Sequence, residues 1–214
     1  MKETKSSMIK DAVILCLITL VLGAVLAGVY AVTKGPIDAA QAKANNEACS
    51  AVVSNGDSVK DSDEELVKKA VEFLGSHDLS GTEVKEGDTL SNYIEISEVH
   101  PTEQGGSVYL ADATKGYGGK ISFALGVDET GAITGIAITS QSETAGLGAN
   151  CENESWQAGF TGKVLPDNRS DEMYSKNGES ESQIQALSGA TVTSRAITRA
   201  VKAILFYNET VKEG

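Results

Sequence analysis

An unbroken run of 21 uncharged residues, Ala12 to Val32, constrains this chain more than any other feature. As a helix the run extends roughly 31 Å at about 1.5 Å per residue, the thickness of a bilayer's hydrocarbon core. A cleaved secretory signal carries a shorter apolar stretch, about 7–15 residues, ending in small residues. Here Tyr30 and Val32 crowd that end. No polar face interrupts the run, which argues against a core helix. The reading is a retained single-pass anchor: residues 1–11 as a cytoplasmic N-terminus, 12–32 as the transmembrane helix, 33–58 as a stalk and 59–214 as a folded domain.

Charge orients and classifies the rest. Lys2, Lys5 and Lys10 precede the span, and Lys34 and Lys43 follow it. This modest bias favours a cytoplasmic N-terminus, with residues 35–214 outside the cytoplasm and the chain in the cytoplasmic membrane. The whole chain holds 18 basic and 30 acidic residues. With four lysines and two acids before residue 35, the remainder carries 14 basic and 28 acidic residues, a net charge of −14. Phosphate backbones would be repelled, so nucleic acid is excluded as a partner. Most of this charge is accounted for as a solvated, solubilising surface.

The chemistry-bearing residue types are few. Cys16 lies in the span, and Cys49 and Cys151 lie outside it. No Cys-x-x-Cys pair exists, so iron–sulfur and zinc readings lack support and no metal ligand is assigned. Cys49 and Cys151 are compatible either with one disulfide in an oxidising space or with two free, partly buried thiols. The two histidines, His77 and His100, are far apart and read as ordinary surface or core residues. Ser188 is not in a Gly-x-Ser-x-Gly setting, so a hydrolase triad is not supported and no catalytic residue is assigned.

Periodicity divides the folded part. Pro36 to Ala44 is Ala-rich and reads as helix, with Pro36 a point of kinking. Asn55-Gly56-Asp57 reads as a turn. Acidic residues from Asp61 to Glu65 open a helix whose apolar positions are Leu66, Val67, Ala70, Val71 and Leu74, with Gly75 a stop. From Tyr93 the pattern turns to strands: Ser107 to Asp112, Ile121 to Val127, and Ile133 to Thr139 after the hairpin turn Asp128-Glu129-Thr130-Gly131. These predict an antiparallel meander. Residues 166–182 are polar and read as irregular. The last helix is expected from about Ala190 to Tyr207, with an apolar face from Val192 to Leu205. The fold class is α+β: an antiparallel sheet with flanking helices behind one N-terminal membrane helix.

Three segments merit a chemical reading. Ser188-Gly189-Ala190-Thr191 sits at the mouth of the last helix. Backbone N–H groups there are unpaired and the helix dipole is positive, which suits a phosphate. The plain alternative is an N-cap made by Ser188 or Thr191, needing no cofactor. The loop Ser142 to Gly148 lacks the third glycine of a dinucleotide fingerprint, and Gly116 to Lys120 is followed by Ile121 where a P-loop needs Ser or Thr. Alone, each of these two reads as a tight turn.

Taken together and in order, these features resemble the FMN-binding domain family. The resemblance is to the G subunits of Rnf-type membrane-bound, ion-translocating ferredoxin:NAD+ oxidoreductases. It extends less closely to the C subunits of Na+-translocating NADH:quinone reductases. It rests on the N-terminal span, Gly-Tyr-x-Gly at 116–119, Glu-Thr-x-Gly-Leu-Gly at 143–148, Phe-x-Gly-Lys at 160–163 and Ser-Gly-Ala-Thr at 188–191. Gln185 stands where the modification motif often has Asp, and Ala145 where the loop often has Pro.

The resemblance implies FMN attached covalently to Thr191 by a phosphoester, placed there by a flavin transferase that uses FAD. It implies Ser188, Gly189 and Ala190 around the attachment point. Glu143, Thr144, Leu147 and Gly148 would lie beside the ring or its ribityl chain. It implies partners too: the membrane and the other subunits of a redox complex that couples electron transfer to movement of Na+ or H+. Two alternatives remain at this level, a stand-alone anchored FMN reductase and a non-enzymatic anchored binding domain.

Overall fold

The computed structural model describes residues 2–53, 56–78, 89–168, 172–176 and 182–213. They divide into two units, Met1–Lys43 and Ala44–Gly214. The first is helical throughout, as part of α1 (Lys2–Ala51), which runs on through Pro36. From Lys10 to Lys43 every side chain is exposed, the apolar ones on all sides of the helix, with Leu26 at 73 % and Val32 at 77 %. An apolar surface all round a helix, left exposed among the described residues, suits lipid rather than water.

In the second unit, α2 (Glu64–Ser76) precedes a four-stranded antiparallel meander. Its strands are β1 (Ile94–Pro101), β2 (Ser107–Ala113), β3 (Ile121–Val127) and β4 (Ile133–Ser140), in that order across the sheet. A short helix α3 (Glu154–Gln157), a parallel pair of two-residue strands β5 (Tyr174–Ser175) and β6 (Ile184–Gln185), and α4 (Thr191–Glu213) complete it. The expected meander and final helix are present. α4 begins one residue later than expected and runs six further. Its buried stretch continues through Asn208, and Thr210 hydrogen-bonds the carbonyl of Phe206 at 2.9 Å.

The sheet is covered on both faces, as strand alternation requires. Tyr109, Ala111, Phe123 and Leu125 face a core shared with α2 and α4, including Phe73, Leu74, Ile197, Val201 and Ile204. Val108, Leu110 and Ala124 face the other way, against Ala48, Cys49 and Val52. Each large side chain buried this way contributes about 1.5–3 kcal/mol. The packed unit thus starts at Ala44, inside the segment 33–58 expected as stalk, because the end of α1 is part of the core.

Val52 fixes that junction. Its carbonyl accepts a hydrogen bond from the Thr134 hydroxyl and lies against Gly126.

α2 opens on Asp63, whose Oδ1 accepts hydrogen bonds from Glu65 N at 2.9 Å and Leu66 N at 3.2 Å, a cap worth about 1 kcal/mol. Part of the polar stretch 166–182 is ordered: Ile184 N donates to the Met173 carbonyl and Ala186 N to that of Ser175. Residues 169–171 and 177–181 of that stretch lie outside the described residues, as does Asn55 of the expected turn. Cys49 and Cys151 are both free, buried in the clusters on opposite faces of the sheet. His77 stacks on Phe73 at 4.1 Å, and His100 pairs with Glu98 at 2.9 Å.

Candidate functional site

Three segments distant in sequence meet around one cavity of about 460 Å³: the β2–β3 loop, the loop after β4, and the turn entering α4. Of the residues expected at the site, Glu143, Thr144, Leu147, Gly148, Gly189, Ala190 and Thr191 line it. Ser188 is exposed on the same turn but outside the lining. Tyr117, Val192 and Thr193 also line the cavity and were not assigned from sequence. Tyr117 stands out only as an aromatic between glycines, and Val192 reads as part of the apolar face of α4.

The turn into α4 is held from below. Ser194 Oγ accepts a hydrogen bond from Leu187 N at 2.9 Å and donates to the Ala190 carbonyl at 3.0 Å. Trp156 Nε1 donates to the Gln185 carbonyl at 2.8 Å. Gly189 adopts φ +72°, a conformation costly for a residue with Cβ. The chain then enters α4 with Ala190 at the position before the first helical residue. Alanine has no side-chain acceptor, so the first-turn N–H groups have no side-chain cap from that position.

Thr191, the first residue of the 23-residue helix, is exposed. Among the described residues its hydroxyl has no hydrogen-bond partner. The plain reading, with Ser188 or Thr191 as the cap, therefore does not describe this helix start.

Two residues on, the same helix presents a contrasting hydroxyl. Thr193 is 1 % exposed, and its Oγ1 donates to Glu143 Oε2 at 2.5 Å. Glu143 Oε1 accepts a hydrogen bond from Gly118 N at 2.8 Å. One buried carboxylate thus ties all three segments together. The approach is close: a Cβ on Gly118 would lie 2.0 Å from the Ser142 carbonyl oxygen.

Burial pushes the Cys151 thiol, just beyond this loop, up to about 12, with Glu152 and Glu143 adding to the effect. Burial likewise pushes Cys49 up to about 11, with Glu98 adding to it. Neither thiol is a nucleophile at neutral pH.

The Phe-x-Gly-Lys segment serves the scaffold instead. Phe160 is fully buried and meets Trp156 edge-on at 5.0 Å, while Gly162 N donates to the Ile133 carbonyl at 2.7 Å.

The cavity suits a flavin nucleotide on two counts. An exposed, unpartnered hydroxyl stands at a helix N-terminus, where a phosphate is stabilised. Three large apolar side chains stay exposed around it, Tyr117 at 72 %, Val192 at 51 % and Leu147 at 43 %, a surface for a flat ring. Residues 116–205 match the family described as FMN-binding domain, and residues 1–52 match the RnfG N-terminal region.

Over residues 116–205 the chain is similar to the FMN-binding domain family.

Among its relatives is the G subunit of the ion-translocating oxidoreductase complex of Aliivibrio fischeri, 33 % identical over 113 residues, covering 52 % of this chain and 53 % of that one. The G subunit of the proton-translocating ferredoxin:NAD(+) oxidoreductase complex of Clostridium ljungdahlii is 38 % identical over 90 residues, covering 42 % and 46 %. The G subunit of the Na(+)-translocating ferredoxin:NAD(+) oxidoreductase complex of Acetobacterium woodii is 35 % identical over 114 residues, covering 50 % and 53 %. The chain spans about half the length of the relatives it matches. Among solved structures, NqrC of Shewanella oneidensis aligns with a TM-score of 0.45 at 21 % identity, covering 55 % of this chain and 62 % of that one.

Proposed function

We propose that this chain is an electron-carrying flavoprotein subunit of a membrane complex coupling ferredoxin:NAD+ electron transfer to translocation of Na+ or H+, with FMN joined to Thr191. The observation that carries this reading is the Thr191 hydroxyl: exposed, unpartnered among the described residues, and on the first turn of a helix that Ala190 cannot cap, inside the segment that matches the FMN-binding domain family. The names of the three relatives support the assignment to a translocating complex.

Attachment exchanges the phosphoanhydride bond of FAD for a phosphoester to Thr191. The Thr191 oxygen bonds to the FMN phosphorus of FAD, the bond to the AMP portion breaks, AMP leaves, and the hydroxyl proton goes to solvent. The flavin-transferase partner supplies FAD and the catalysis. The first-turn N–H groups of α4 would stabilise the phosphodiester by about 0.3–1 kcal/mol at an exposed site. Leu147, Val192 and Tyr117 would shield the ring's apolar faces, and Ser188, Gly189 and Ala190 form the turn that keeps the attachment point open. Bound FMN supplies the ability to take up and release electrons singly, linking one-electron carriers.

Co-expression with a flavin transferase should give a band that fluoresces in a denaturing gel, and Thr191→Ala should abolish it. Flavin persisting in that variant after denaturation would refute the attachment site. Co-purification of integral-membrane redox proteins separates a component of a complex from a stand-alone anchored reductase. Residues 35–214 lie outside the cytoplasm in this reading, so protease added to intact spheroplasts should digest them. Full protection, or a mature N-terminus near Thr33, would overturn that topology.

A further inference from the structure

Glu143 is more than a brace. Among the described residues it is the one charged side chain in the lining of the cavity. It is 9 % exposed, and both carboxylate oxygens accept hydrogen bonds, from Gly118 N at 2.8 Å and Thr193 Oγ1 at 2.5 Å. Two donors aimed at two acceptors match the ionised form of the group. The charge is thus held in place by two segments that cannot follow it if it moves.

We propose that Glu143 sets the reduction potential of the flavin in this cavity, holding it low by presenting a fixed negative charge to the ring. The proposal rests on the reading that FMN occupies this cavity. Reduction adds electron density to whatever occupies the site. A carboxylate in a wall largely closed to water opposes that addition more strongly than a solvated one would. No cationic side chain in the described lining offsets it. Glu143 acts on the potential through charge, and through the bridge it also positions the walls. The two roles separate by substitution. In Glu143→Gln the remaining oxygen still accepts from Gly118 N, and the Thr193 hydroxyl rotates to accept from the new amide, so the bridge stays while the charge goes. In Glu143→Ala both are lost.

The test is a spectroelectrochemical titration of the flavin-loaded full chain in detergent, paired with hydrogen exchange of the unloaded chain at the Gly118 amide and the first turn of α4. The expected result is a shift to higher midpoint potential in Glu143→Gln with exchange protection at Gly118 retained, and a loss of that protection in Glu143→Ala. A potential that does not rise in Glu143→Gln overturns the proposal. So does a rise accompanied by lost protection at Gly118, since Glu143 would then be a structural clamp alone. Failure of the attachment reading is a separate outcome: wild-type chain without covalent flavin. Free FMN added to the unmodified chain then serves as the probe for the same comparison.

Discussion

Two concavities among the described residues of the domain treat their polar groups in opposite ways. The smaller, of about 170 Å³, lies between Asp57, Thr102, Gly106 and Asp128. There the chain closes on itself. Asp57 Oδ1 accepts hydrogen bonds from the amides of Ser58, Glu103 and Gln104 at 2.8, 3.1 and 3.2 Å. Asp128 Oδ1 accepts from Thr130 N, Thr130 Oγ1 and Ala132 N at 2.8, 2.6 and 3.0 Å. Acidic side chains there finish turns. In the larger concavity Thr191 is left open beside exposed apolar side chains, while Glu143 and Thr193 close its floor. A recess that answers its own polar groups is architecture. One that withholds a hydroxyl at a helix N-terminus is built for something else.

The strongest way to break this comparison sets two neighbouring threonines against each other. Thr191→Val should eliminate covalent flavin entirely and leave stability nearly unchanged, because the hydroxyl is exposed and has no partner among the described residues. Thr193→Val should keep the flavin but cost about 1–3 kcal/mol, because it strips a buried carboxylate oxygen of its donor. In-gel fluorescence and urea unfolding read the two effects. Reversed outcomes would mean that the open hydroxyl is structural and the buried one is the attachment point.

Next in size is Gly118→Ala. Its Cβ has no room beside the Ser142 carbonyl, so the two loops must part, at a cost of about 1–3 kcal/mol. Flavin loading should fall as well. Asp128→Ala in the smaller recess should cost about 1–2 kcal/mol through its turn and leave loading intact. Equal loss of loading in both variants, measured as flavin per chain, would erase the distinction between the recesses.

Much of this site was legible in the sequence, and the reasons differ by element. The apolar run and the motif at 188–191 are local signals and needed no tertiary context. In the sequence of β3, large apolar residues at 121, 123, 125 and 127 alternate cleanly with smaller ones. β1 does not: a bulge between Ile96 and Glu98 shifts the register, so the inward residues are Ile94, Ile96 and Val99, and the period of two fails. Ala48, Cys49 and Val52 read as stalk because only the far face of the sheet makes them core. The Glu143 bridge joins residues 25 and 50 positions away, and no spacing rule anticipates it. Trp156 is similar: its indole holds the Gln185 carbonyl across 29 positions.

The smallest expected effect concerns acid. In the folded chain the Asp57 carboxyl titrates below its ordinary value of 3.8, held down first by the Thr102 hydroxyl and then by the amides of Ser58, Gln104 and Glu103. A carboxylate depressed on folding stabilises the native state above its unfolded value, and that contribution disappears as pH falls through the lower, folded value. Asp57 should therefore add a slope to stability only below about pH 4, and none near neutrality. Asp57→Asn keeps an acceptor for the amides but cannot ionise, so its urea midpoint should match wild type less closely at pH 7 than at pH 3. Thr191→Val should leave the wild-type slope untouched, since that hydroxyl has no partner among the described residues and does not ionise in this range. An Asp57→Asn chain that follows wild type at every pH would mean the turn holds without the charge, and the smaller recess would then owe its closure to the backbone alone.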